Sequence, residues 1–145
     1  MDKVTQALEL FNQGFNCSQA VFSVYSNELG IDKETALKTA SGFGAGMGRL
    51  QEVCGAVTGA FMVLSLKHGS ATANDSTSKE KVYGLIKEFT KRFEGQNKTI
   101  ICRDLLGGAD LVNGDKEKNT ITVKTTCPKL VKDAVEILEA LNNGL

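Results

Sequence analysis

Apolar residues recur at helical spacing through most of the chain. Val4, Leu8, Phe11 and Phe15 repeat every three or four positions and so share one face of a helix that Gly14 interrupts. Asn16 followed three residues later by Gln19 has the spacing of a capping box, which predicts a restart there. Val21 and Val24 carry the new apolar face toward Leu29, and Gly30 supplies the stop. Asp32 reads as the N-cap of a short helix carrying Ala36, Leu37 and Ala40.

Residues 42–48, Gly-Phe-Gly-Ala-Gly-Met-Gly, give up backbone order and permit left-handed conformations, so a loop is expected. From Val53 to Leu66 the chain is apolar on nearly all sides, the pattern of a helix surrounded by others. Residues 69–78 are small and polar and read as a linker, closing with Thr77 and Glu80 in capping-box spacing. The helix after it places Val82, Leu85, Ile86, Phe89 and Phe93 inward, with Lys79, Lys81, Lys87, Lys91 and Arg92 on a solvated side. Thr99 to Leu106 predicts a short helix stopped by Gly107-Gly108, and Ile121, Thr122 and Val123 suggest a short strand or extended crossing. The last helix is expected to begin near Cys127-Pro128, to carry Val131, Ala134, Val135, Leu138 and Leu141 on one face, and to have Gly144 past its end. With no internal repeat and no domain boundary, residues 1–145 read as one all-α domain, a helical bundle around the buried central helix.

Composition narrows the function. Of the 145 residues 41% are hydrophobic and 23% charged, enough to bury a core without disulfide staples. Lys+Arg 17 balances Asp+Glu 17, so there is no basic field to neutralise a run of phosphates or to hold an anionic bilayer, and nucleic acid is not expected as a partner. The central apolar segment falls short of the roughly 20 residues of a membrane span. The amphipathic start Met1-Asp2-Lys3-Val4 carries no export signal, which points to the cytoplasm. Thiols stay reduced there, so the four cysteines are expected to be reactive groups or ligands and not structural bridges.

Cys17, Cys54, Cys102 and Cys127 are separated by 37, 48 and 25 residues. No C-x-x-C occurs, which removes zinc-ribbon, thioredoxin-type and covalent haem readings. Only the fold could assemble them. Each stands close to an expected helix start: Cys17 after Asn16, Cys54 after the glycine loop, Cys102 three residues after Thr99, and Cys127 before Pro128. Unpaired amides and the helix dipole stabilise an anion at such positions, which lowers a thiol pKa. The bland alternative is that each cysteine packs as a small hydrophobe.

Neighbouring residues divide the same way. Gly55 and Gly59, beside Ala56 and Ala60, form a small-residue stripe that serves close helix packing, or bares backbone N–H groups so that another sulfur or a cluster can approach Cys54. Residues 44–49 lack the Gly-Lys-Ser/Thr ending of a phosphate loop, although Arg49 could hold a small anion beside Cys54. His68 lies 14 residues from Cys54, roughly 21 Å along a helix, and fits a C-terminal capping role better than a Cys-His pair. Glu52 lies two residues before Cys54 and Arg103 follows Cys102; Arg103 has the better case as a charge that stabilises a thiolate.

Cys17, then Cys54-Gly55-Ala56-Val57-Thr58-Gly59, then Cys102, then Cys127 resembles the family named for the pattern C_GCAxxG_C_C. The likeness covers nearly the whole chain and includes the glycine-rich run before Cys54 and the Cys-Pro of the last helix. The label orders its central motif Gly-Cys-Ala, where this chain has Cys-Gly-Ala. The resemblance implies four family cysteines and a redox role without a stated substrate. Two chemistries fit: reversible dithiol–disulfide exchange, with Cys54 favoured as attacking thiol for its open glycine setting, and a four-thiolate zinc or iron–sulfur site for electron transfer or sensing. Either implies a redox partner of unknown identity. A homodimer through the small-residue stripe is also open.

Overall fold

The structure, a computed structural model, describes residues 1–143. Over these residues seven right-handed helices form and no strand: α1 Lys3–Asn12, α2 Cys17–Ser23, α3 Lys33–Ala40, α4 Gly55–His68, α5 Ser76–Asn97, α6 Cys102–Leu105 and α7 Lys116–Asn143. The all-α expectation holds, with α4 at the centre against α2, α5 and α7.

Side chains that satisfy the free amides of the first turn set most helix starts. The Asp2 carboxylate accepts from the Thr5 amide, and Asp32 from the Thr35 amide. Asn16 and Gln19 form the expected reciprocal box: the Gln19 amide donates to Asn16 Oδ1 at 2.9 Å and the Asn16 amide to Gln19 Oε1 at 3.0 Å. α2 ends earlier than its apolar pattern suggested, at Ser23, and turns continue to Gly30, whose φ of 77° closes them. Asp75 caps α5, not Thr77; its carboxylate takes both the amide and the hydroxyl of Ser78, which leaves Thr77 inside the first turn.

The largest departure is at the C-terminal side. α7 starts at Lys116, eleven residues before the expected position, and absorbs Ile121, Thr122 and Val123, so no strand forms there. Asp115 takes the amides of Glu117 and Lys118 and so supplies the helix start. The hydroxyls of Thr120 and Thr122 turn back onto the Lys116 and Lys118 carbonyls, which lets these residues stay helical. Pro128 consequently sits inside a helix, where its missing N–H leaves the Lys124 carbonyl without its helical partner. Gly144, expected past the helix end, lies outside the described residues.

α4 is buried from Gly55 to Leu64, apart from the partly covered Thr58, Phe61 and Met62, and surfaces at Ser65. Its small-residue stripe is used within the chain. A Cβ on Gly59 would stand 2.8 Å from the Ser18 carbonyl and 3.1 Å from Val21 Cβ, so α2 lies against bare backbone. The stripe therefore offers no face for a dimer. On the other side Phe61 meets Phe89 edge-on at 5.9 Å, and Phe89 stacks on Phe93.

Gly59→Val should cost about 2–4 kcal/mol, because α2 would have to move outward. Gly84→Ala, in α5 with nothing within 4 Å of its missing Cβ, should gain about 0.5–1 kcal/mol through helix propensity. Urea denaturation of the two variants beside the parent chain measures both.

Candidate thiol site

Three of the four cysteines stand at helix starts. Cys17 is the first residue of α2, Cys54 is the N-cap of α4, and Cys102 is the first residue of α6. Cys127 is not: it lies in the middle of α7, because that helix begins upstream of it. Helical spacing places Cys127 between Val123 and Leu130 on one face of α7, and all three line the same cavity.

Two backbone devices bring the other three together. Residues 51–54 run antiparallel to residues 100–103: the Cys54 amide donates to the Ile100 carbonyl at 2.8 Å and the Cys102 amide to the Glu52 carbonyl at 2.6 Å, around a bridge between Val53 and Ile101. The glycine-rich segment is the second device. After a short 3-10 turn at Ser41–Phe43, residues 45–49 all take positive φ: Ala45 at 54°, Gly46 at 68°, Met47 at 70°, Gly48 at 60° and Arg49 at 65°. This is a left-handed turn, which costs non-glycine residues roughly 1–2 kcal/mol each. Gly46 is required at its place, since a Cβ there would fall 2.5 Å from Gln51 Cα and 2.7 Å from Cys102 Cβ.

Gln51 holds the assembly and was not singled out by sequence. It is 1% exposed, with φ 56°. Its side-chain Nε2 donates to the Ala109 carbonyl at 2.6 Å and its Oε1 accepts from the Leu111 amide at 3.0 Å. Its backbone accepts from the Arg103 amide and donates to the Ala45 carbonyl. One residue thus ties the left-handed turn, α6 and the loop before α7.

All four cysteines are reduced and buried, and all line one cavity of about 300 Å³. Phe11, Phe15, Leu105, Leu106, Leu111 and Leu130 supply most of its remaining wall. Gly14 and Lys124 also line it and are exposed, so it reaches the surface beside them.

The four sulfurs are not equivalent. The thiols of Cys127 and Cys54 hydrogen-bond to the Cys17 sulfur, and with the amides of Cys17 and Ala45 they hold its pKa well below the ordinary thiol value against the opposing effect of burial. The reverse holds for the donors. Cys54 is pushed well up by its bond to Cys17, by burial and by the negative charge beside it, and Cys127 is pushed up for the same reasons. Cys102 rises to about 11, chiefly from burial and then from the Cys17 charge. The glycine beside Cys54 opens space at the cavity wall, while the pKa directions single out Cys17 as the thiol held low.

The remaining candidates separate. Gly55 faces the site, a Cβ there lying 3.2 Å from Cys17 Sγ and 3.1 Å from the Ser18 amide, whereas Gly59 serves helix packing. Arg103 is exposed and lowers the Cys102 pKa without overcoming burial. His68 ends α4 and is absent from the cavity wall. No group of three or more His, Cys, Asp or Glu side chains among the described residues is spaced to hold a metal ion, so the zinc and iron–sulfur expectations find no ready ligand set. No described helix is long and apolar enough to cross a membrane.

An all-α bundle with an apolar cavity that collects four reduced thiols defines a class of thiol-centred helical proteins. The chain belongs to the C_GCAxxG_C_C family, whose model, described as "Putative redox-active protein", matches residues 15–141. No curated protein and no solved structure matches it at the level required of a relative.

The titrations have opposite signs. Cys17 binds its proton more weakly folded than unfolded, so its stabilising contribution grows as pH rises from its folded pKa toward the ordinary value of 9.0. Cys54, Cys102 and Cys127 must stay protonated in the fold, so stability falls as pH climbs above 9.0. Urea unfolding against pH should therefore rise and then fall around that value, and Cys17→Ser should lose the rising limb. Gln51→Ala, which orphans the buried Ala109 carbonyl and Leu111 amide, should cost about 2–4 kcal/mol by the same assay.

Proposed function

We propose that the protein is a thiol redox protein in which Cys17 attacks and Cys54 or Cys127 resolves, exchanging electrons with a low-molecular-weight disulfide. The observation that carries this is the gathering of four buried free thiols on the wall of one apolar cavity that reaches the surface, with Cys17 the thiol whose pKa is held low. The Cys17 thiolate attacks one sulfur of the disulfide R–S–S–R; that S–S bond breaks, a mixed disulfide Cys17–S–S–R forms, and RS⁻ leaves. The neighbouring thiol then attacks the Cys17 sulfur, an intramolecular disulfide forms, and the second R–S leaves, with the resolving thiol's proton passing to the released thiolates. Two electrons move from the protein to the disulfide, and the reverse reaction returns them. Cys102, packed with Leu106 and Cys127, stands as a reserve partner for Cys127. The cytoplasm, where small thiols and disulfides are kept in balance, is the setting this reading suits.

The test is alkylation with iodoacetamide across pH, followed by peptide mapping. Cys17 should react at neutral pH with an apparent pKa below 9.0; Cys17→Ser should remove that fast phase, and Cys54→Ala or Cys127→Ala should slow it about tenfold by taking away a donor to the thiolate. An excess of a small disulfide should then yield a bridge from Cys17 to Cys54 or Cys127. Four thiols that label equally slowly until the chain unfolds would make them packing residues. Stoichiometric iron and sulfide in anaerobically purified protein would instead favour the cluster reading.

A further inference from the structure

The thiol cavity continues into a second groove whose chemistry is different. The two share Ala45, Leu111, Val123 and Lys124, and the groove, of about 620 Å³, is lined further by Arg49, Val112, Lys116, Asn119 and Thr120. Three cations therefore stand on its wall and no carboxylate does. Arg49, Lys116 and Lys124 are exposed, and none of them makes an ion pair among the described residues. Asp110 and Asp115 nearby are engaged on backbone amides, those of Val112 and Asn113 and those of Glu117 and Lys118, and Glu52 and Glu117, close in sequence to Arg49 and Lys116, are not on the groove wall. In a chain of zero net charge this is a local excess of three positive charges at the entrance to the sulfur site.

Arg49 is placed there at a cost. It is the last residue of the left-handed turn, at φ 65°, in a conformation an arginine avoids. The same turn that presents the Ala45 amide to Cys17 thus delivers a guanidinium to the groove next door. From this contiguity we infer the class of substrate: a small disulfide or thiol that carries anionic groups, carboxylate or phosphate, which rest on Arg49, Lys116 and Lys124 while its sulfur enters the apolar cavity toward Cys17. The inference rests on the exchange reading above and adds to it the charge of the molecule exchanged. The groove cations screen the anion from the Cys17 thiolate, which would otherwise repel it, and raise its local concentration.

Three disulfide probes of different charge test this on the full-length reduced protein at low ionic strength: doubly anionic dithiobis-nitrobenzoate, uncharged dithiodipyridine, and doubly cationic cystamine. Each rate is normalised to that of a free cysteine. The expected result is a normalised preference of about tenfold or more for the anionic probe over the cationic one, lost on adding salt. The double variant Arg49→Gln/Lys116→Gln should collapse that ratio toward one, and Lys116→Arg should keep it. A carboxylate-bearing and a phosphate-bearing disulfide, run in parallel, distinguish the two sources of negative charge. If Cys17 reacts with dithiodipyridine but the charge preference is absent, or survives the double variant, the substrate inference is overturned and the exchange reading stands. If Cys17 reacts with none of the probes, both fall.

Discussion

A sulfur anion removed from water must be solvated by the protein, and the proposed exchange places that demand on Cys17. The groups that hold its pKa low are the thiols of Cys127 and Cys54 and the amides of Cys17 and Ala45. They arrive from separate segments: α7, the N-cap of α4, the first turn of α2 and the left-handed turn. No single helix dipole does this work. Ala45 can offer its amide only because the chain turns left-handed there, a conformation that Met47, Arg49 and Gln51 share at roughly 1–2 kcal/mol each. What offsets that strain is the buried Gln51, whose side chain closes on Ala109 and Leu111 while its backbone holds Ala45 and Arg103. The strain and the brace belong to one device, and removing either releases the amide from the sulfur.

The same geometry orders the two steps of the proposed exchange. While Cys17 is charged, its negative field and its demand for hydrogen bonds keep Cys54 and Cys127 protonated. Once Cys17 is spent in a mixed disulfide its charge and its demand for hydrogen bonds are gone, and of the causes that raised the neighbouring pKa values burial is the largest that remains. A resolving thiol thereby ionises more readily only once the mixed disulfide has formed.

What could be read from the sequence was local. Asn16 with Gln19, and Asp32 before Ala36, announce their helices because each cap and its amide lie within one turn, and the unbroken apolarity of residues 53–66 marks α4 without reference to anything else. Cys-Pro is a strong local start signal at Cys127, overridden here by the earlier cap at Asp115. Ile121 and Val123 were misread for the same reason: β-branched residues prefer strands only until packing decides otherwise. Gln51 carried no signal at all. Its partners lie 58 and 60 residues away, and nothing in a lone polar residue beside a glycine loop tells that its conformation will be left-handed. The convergence of four sulfurs is likewise beyond the reach of spacings of 37, 48 and 25; the resemblance to a four-cysteine family suggested it, and the antiparallel pairing of residues 51–54 with 100–103 brings Cys54 and Cys102 together.

The division between a dry cavity and a wet groove follows from the cost of burying charge. A lysine or arginine inside the cavity would steady the Cys17 thiolate more strongly than any thiol donor, but it would have to give up its own hydration, and a buried ion pair seldom recovers that loss. Thiols and amides stabilise the anion with no second ion to desolvate. The cations stand instead at the exposed rim, where Arg49, Lys116 and Lys124 keep their water. From there they act on an incoming molecule through a field that reaches about 10 Å at moderate salt. A uniformly apolar entrance would leave the thiolate to repel any anionic disulfide, and a uniformly charged one would flood the sulfur with water and weaken the hydrogen bonds that make it acidic. On the proposed reading, splitting the two functions between adjoining surfaces would let the chain hold a reactive anion and still admit another.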